Sequence, residues 1–160
     1  MRKKIAVLVD ADNICAKEYE VVLGKISSTY GEILIKRVYG DWTTSNMNKW
    51  KDVLVKEPAT PCQQFRLGKN ATDIRMIIDA TELMILNPNI DAFCIVSTDA
   101  NFCGLAMRLR ENGKFVLGVG KEEAKSIWQK ACDKFIKIES LSSFYDEDHL
   151  MTERWPSVQA

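Results

Sequence analysis

Short apolar runs and longer amphipathic stretches alternate along the whole chain. The first run, residues 4–10, is rich in Val and Ile and ends in Asp10. An unbroken apolar run of this length predicts a strand buried on both faces. About 15–28 then predicts a helix, and 33–39, introduced by Gly31, a second strand. A helix follows near 45–56, with Ser45 as a candidate cap. Pro58 and Pro61 bracket a turn, after which 63–67 reads as a third strand. Thr72 or Asp73 can cap a helix of about 73–86, on which Ile74, Ile77, Ile78, Thr81 and Ile85 share one face. Residues 87–89, Asn-Pro-Asn, stop it. Residues 92–96 predict a fourth strand, 102–111 a helix closed by Asn112 and Gly113, and 114–119 a fifth strand. A helix at 123–132 and a short strand at 135–138 complete the pattern.

Regular alternation of strand and helix implies a largely parallel sheet with helices on both faces. The composition changes after Glu139. Residues 1–139 therefore read as one domain and 140–160 as a linker or C-terminal tail carrying Asp146, Glu147 and Asp148. Trp155 and Pro156 in that tail are available to dock on the domain or on a partner. A further domain beyond the tail and a homodimer both stay open. His149, the single histidine, lies in the tail and is assigned no role.

Charge changes the picture only locally. Lys and Arg balance Asp and Glu at 22 each, so no whole-molecule field draws in nucleic acid. Between Lys36 and Arg75, however, eight basic residues face four acidic ones, a local patch that either binds an anion or is simply solvated. The five cysteines are widely spaced without a C-x-x-C pair, which argues against a zinc site or a disulfide framework. No stretch approaches a membrane span, and a reducing cytoplasm is the expected location.

Two of the predicted strands end in the same chemistry. Residues 5–9 lead into Asp10, Asp12 and Asn13, and 92–96 into Ser97, Thr98, Asp99 and Asn101. Acids at the carboxyl ends of parallel strands can meet in the crevice where α/β proteins bind ligands. Converging carboxylates repel, and a divalent cation relieves the repulsion. This predicts metal-dependent phosphate chemistry with Asp10 and Asp99 as ligands. Asp73, following the third strand, is a third. Asn13 can position a phosphate or a water, and Ser97 and Thr98 can hold a carboxylate or phosphate oxygens. Lys69 can contact a phosphate. Asp79 is expected to contact Lys69 or Arg75 or to face solvent. Tyr39 and Trp42 are candidates for stacking on bases or for core positions. Asp10 and Asp12 also fit the D-x-D pattern of haloacid-dehalogenase-type phosphatases, with the first Asp as nucleophile and the second as acid/base.

The ordered motifs Val9-Asp10-Ala11-Asp12-Asn13, Tyr39-Gly40-Asp41-Trp42, Gly68 to Asp73 with Asp79-Ala80, and Ser97 to Phe102 resemble the NYN domain family over residues 4–138. The resemblance is to its LabA-like (DUF88) branch within the PIN-like nucleases. It implies a three-layer α/β/α sandwich and a ribonuclease, a hydrolase using Mg²⁺ or Mn²⁺ held by Asp10, Asp73 and Asp99 with position 101. Single-stranded RNA is the implied partner, touched by Asn13, Lys69, Ser97, Thr98, Arg37 and Trp42, with Asp12 and Asp79 ranked below. The family pattern has Asp where this chain has Asn101. The alternative is accordingly a catalytically weak or inactive RNA-binding or regulatory module.

Overall fold

Parallel pairing of apolar strands sets the architecture of the computed structural model, which describes residues 2–142. The strands β1 (Lys3–Asp10), β2 (Gly31–Gly40), β3 (Thr60–Gln63), β4 (Ala92–Val96), β5 (Phe115–Gly120) and β6 (Lys134–Lys137) form one sheet. Their order is β3-β2-β1-β4-β5-β6, and every neighbouring pair is parallel. Six helices connect or follow them: α1 (Ala16–Thr29), α2 (Asn48–Lys56), α3 (Ala71–Leu86), α4 (Cys103–Glu111), α5 (Ser126–Ala131) and α6 (Ile138–Ser142). The predicted α/β sandwich with a mainly parallel central sheet is the fold observed.

The central strands alternate their side chains between two cores. Ile5, Val7 and Val9 of β1 and Cys94 and Val96 of β4 face one layer, with Val22 and Ile26 of α1, Trp50 of α2 and Leu141 of α6. Ala6, Leu8, Phe93 and Ile95 face the other, against Met76, Ala80 and Leu83 of α3, Leu105 and Leu109 of α4, and Trp128 of α5. The chain leaves β1 toward β2 on one side and returns to β4 on the other. The crevice at the carboxyl ends of β1 and β4 is therefore the topological switch point.

Three local expectations are corrected. The third strand lies at Thr60–Gln63, not at 63–67, and Phe65 and Leu67 are exposed in the loop after it. The sequence reads Pro61 as a turn residue; an edge strand tolerates a proline because only one of its sides must pair. The N-cap of α3 is Asn70, in the left-handed region at φ 68°, rather than Thr72 or Asp73. The Ile74–Ile78–Ile85 face of α3 exists, but it faces solvent; Thr72, Asp73, Met76, Asp79, Ala80 and Leu83 are the residues turned inward. Residues 140–142 belong to α6, and the remainder of the expected tail, with His149 and Trp155, lies outside the described residues. Among the described residues no helix is long and apolar enough to cross a membrane.

Trp128 ties the core to the crevice. Its ring is fully buried beside Phe102, and its indole N–H donates to the Ser97 carbonyl at 2.9 Å. Replacing Trp128 with Ala is expected to cost roughly 3–5 kcal/mol in urea unfolding. Trp128→Phe, which keeps most of the volume but leaves the carbonyl without its donor, should cost about 1–3 kcal/mol. Equal losses in the two variants would show that the hydrogen bond, not the packing, dominates.

Candidate functional site

Asp10 ends β1 with no exposed surface, so its carboxylate must find donors inside the protein. It accepts from Asn13 Nδ2 at 2.6 Å, from Ser97 Oγ at 2.8 Å and from the Asp12 amide at 3.2 Å. Burial nevertheless holds its pKa above the usual carboxylate range, against the opposing pull of Asn13 and Ser97. Ser97 is positioned by its own backbone: its N–H donates to Val119 of β5, and its carbonyl accepts from Trp128. Thr98 Oγ1 accepts from the Lys121 amide at 3.0 Å. The ends of β4 and β5 approach closely here, since a Cβ on Gly120 would lie 2.8 Å from the Ser97 carbonyl oxygen.

Asp99 caps the short 3₁₀ turn Ala100–Phe102 by accepting from the Asn101 amide at 2.9 Å. The Asn101 side chain points to α3, where Nδ2 donates to Asp73 at 3.0 Å. Asp73 is buried in the first turn of α3, and its pKa is pushed up to about 7. Desolvation is the first cause; Asn101 opposes it, while a hydrogen bond with Asp99 and the charges of Asp10 and Asp99 reinforce it.

The structure brings Asp10, Asp73 and Asp99 to one crevice, as the strand-end reading anticipates. It does not arrange them as a ligand set. Among the described residues no group of three or more His, Cys, Asp or Glu side chains is placed to hold a metal ion. Asp10 is enclosed by three donors, Asp73 by an amide and a neighbouring carboxyl, and position 101 presents an N–H rather than an oxygen to Asp73. The expected Mg²⁺ or Mn²⁺ cofactor does not fit this donor arrangement. The expectations of a metal-dependent ribonuclease and of hydrolase activity are corrected accordingly. The phosphatase reading fails on the same geometry, because its nucleophile would be the fully buried Asp10.

The other anticipated residues divide. Asn13 reaches the site but is held by Asp10, and Lys69 is exposed on the loop before α3. Asp12 accepts from Arg66 Nη2 at 2.9 Å and Thr72 Oγ1 at 2.6 Å, clamping that loop onto the end of β1. Arg66 and Thr72 are the site residues sequence reasoning did not single out. Arg66 stands in the basic stretch, but nothing in the linear pattern pairs it with Asp12. Arg37 does not join the crevice acids; it pairs with Asp79 at 3.6 Å, and Asp79 also accepts from Arg75 and from the Tyr39 hydroxyl. Tyr39 is fully buried and is a core residue. Trp42 is half-buried, donates from its indole N–H to the Cys62 carbonyl at 3.2 Å, and packs edge-on against Trp50. A shallow groove beside Asn13, of about 230 Å³, is lined by Asn46, Lys49, Trp50 and Lys121.

The match to the NYN domain model runs over residues 4–139. The chain belongs to the NYN domain family. An uncharacterized Methanocaldococcus jannaschii protein, MJ0482, is 34% identical over 140 residues, covering 84% of this chain and 55% of that protein. This NYN domain chain thus spans about half the length of that relative. The crystal structure of a Vibrio parahaemolyticus protein of unknown function, VPA0982, superposes with a TM-score of 0.68 at 22% identity. The superposition covers 86% of this chain and 93% of that one, and it shows a shared fold.

The raised pKa of Asp73 makes stability depend on pH. The folded NYN domain binds more protons than the unfolded chain between the ordinary carboxylate value of 3.8 and about 7, so stability falls as pH rises through that window. The melting temperature should fall by roughly 5 °C from pH 4.5 to 7.5. Asp73→Asn should flatten most of that slope, leaving the part of the same sign that belongs to buried Asp10. An unchanged slope in Asp73→Asn would remove Asp73 as its source.

Proposed function

We propose that this NYN domain is a catalytically weak or inactive RNA-binding or regulatory module. The observation that carries the reading is the Asn101 Nδ2 to Asp73 bond of 3.0 Å. An amide donor stands where the family pattern has an acid, and it occupies an oxygen of a carboxylate that a catalytic cation would require. Within the family, the Asp10–Asn13, Gly40–Trp42 and Ser97–Phe102 segments support placing the chain in the LabA-like (DUF88) branch.

The binding surface we assign is the groove beside the crevice. Lys49 and Lys121 line it with Asn13, alongside Glu18 and the Arg66-paired Asp12, so the positive charge offered to a phosphate backbone is confined to the two lysines. On the neighbouring loop, Phe65 is 54% exposed next to Arg66 and offers the stacking face that buried Tyr39 does not. Lys69 lies on the same loop. Single-stranded RNA suits this combination because its unstacked bases can reach an aromatic ring. We take residues 1–139 as the binding unit and 140–160 as the linker or tail.

Fluorescence anisotropy with a labelled single-stranded RNA in EDTA tests the reading, with the same RNA then incubated with Mn²⁺ and resolved on a gel. Binding without cleavage is expected. Lys49→Ala with Lys121→Ala should weaken binding by about 10-fold and lower the salt slope by roughly 1.4. Phe65→Ala should weaken binding by about 5–10-fold. Metal-dependent cutting abolished by Asp99→Asn, or no RNA binding at low salt, overturns the proposal.

A further inference from the structure

The outward face of α3 is apolar along its length. Ile74, Ile78 and Ile85 are 55%, 57% and 68% exposed, and Ile77 is half-buried beside them. At 100° per residue, Ile74, Ile78, Thr81 and Ile85 fall within an arc of about 60°. Arg75 and Glu82 lie side by side along one border of this stripe. The three exposed isoleucines present roughly 300–350 Å² of apolar surface, the size of the largest apolar patch on a typical monomer.

We infer that α3 is the contact helix of a homodimer, pairing antiparallel with α3 of a second copy across a two-fold axis near Ile78. Charge selects this occupant. Arg75 and Glu82 bracket Ile78 at nearly equal distances along the helix, three residues before it and four after. Reversing one helix against the other sets Arg75 of each copy opposite Glu82 of its mate, giving two symmetric ion pairs beside the isoleucine seam. Arg75 is already held at that border, its Nε donating to Asp79 at 3.2 Å, which leaves its terminal nitrogens for a partner. Glu82 makes no ion pair or hydrogen bond among the described residues.

The alternative occupant within this chain, residues 143–160, starts from α6, which packs with α1 on the opposite face of the sheet from α3. Two such faces bury about 600–700 Å² of apolar surface, well below a standard interface, so the dimer is expected to be weak, in the range of tens to hundreds of micromolar. Antiparallel pairing also sends the two crevices, each at the N-terminal end of its α3, to opposite ends of the seam. They then lie roughly 20 Å or more apart, and both stay open.

Sedimentation velocity of the full chain from about 1 to 300 µM reads this directly. The mass should rise from 18.2 kDa toward twice that value. Ile78→Glu, at an exposed position, should keep its circular dichroism spectrum and stay monomeric throughout, at least about 100-fold weaker. Glu82→Arg, which sets like charges opposite each other, should weaken the dimer by about 10-fold. Ile127→Glu, on the exposed side of α5, should leave it unchanged. Three results overturn the assignment: a wild-type chain that remains monomeric across the range, an Ile78→Glu chain that dimerises as tightly as wild type, or a dimer lost on removing 143–160 but indifferent to Ile78→Glu. None of these depends on RNA binding.

Discussion

A carboxylate without exposed surface is stable only where donors enclose it, and in this protein that carboxylate is Asp10. Its partners come from separate parts of the chain: Asn13 and the Asp12 amide from the turn after β1, and Ser97 from the end of β4. The Ser97 bond spans 87 residues and closes the switch point between the two halves of the sheet. Ser97 is itself locked by β5 and by the Trp128 indole on α5. The central strands, the turn after β1 and α5 are therefore tied together by one buried carboxylate that must be hydrogen-bonded.

The rest of the crevice follows the same economy of donors. Asp12 is satisfied by Arg66 and Thr72, Asp73 by Asn101, and Thr98 by the Lys121 amide. Each acid is met from within the protein. Convergence of acids at strand ends is a property of topology; a ligand set further requires oxygens left free to share a cation. This crevice has the first and, among the described residues, lacks the second.

The orientation of α3 comes from the same constraint. Asp79 must receive the buried Tyr39 hydroxyl at 2.7 Å and the charges of Arg37 and Arg75, and Asp73 must reach Asn101. Met76, Ala80 and Leu83 lie on that same side and complete the packing against the sheet. With the polar partners directed inward, the isoleucine stripe is left on the outside. Hydrophobicity alone would rotate this helix the other way; the cost of stranding buried polar groups decides against it.

The linear pattern by itself determined the alternation of elements, the parallel sheet and the placing of Asp10 and Asp99 at strand ends, because strand burial and strand-end geometry are encoded in local runs. The first, second, fourth and fifth strands lie within a few residues of their predicted positions. The edge strand shifted, since Pro61 carries a turn signal that only its position at the sheet margin overrides. Tertiary structure alone decided that Tyr39 is core, that Arg66 clamps Asp12, that α3 shows its isoleucines to solvent, and that the three aspartates are met by donors. Those outcomes depend on which polar groups are buried together, and partners as far apart as Asp10 and Ser97 leave no periodic trace in the chain.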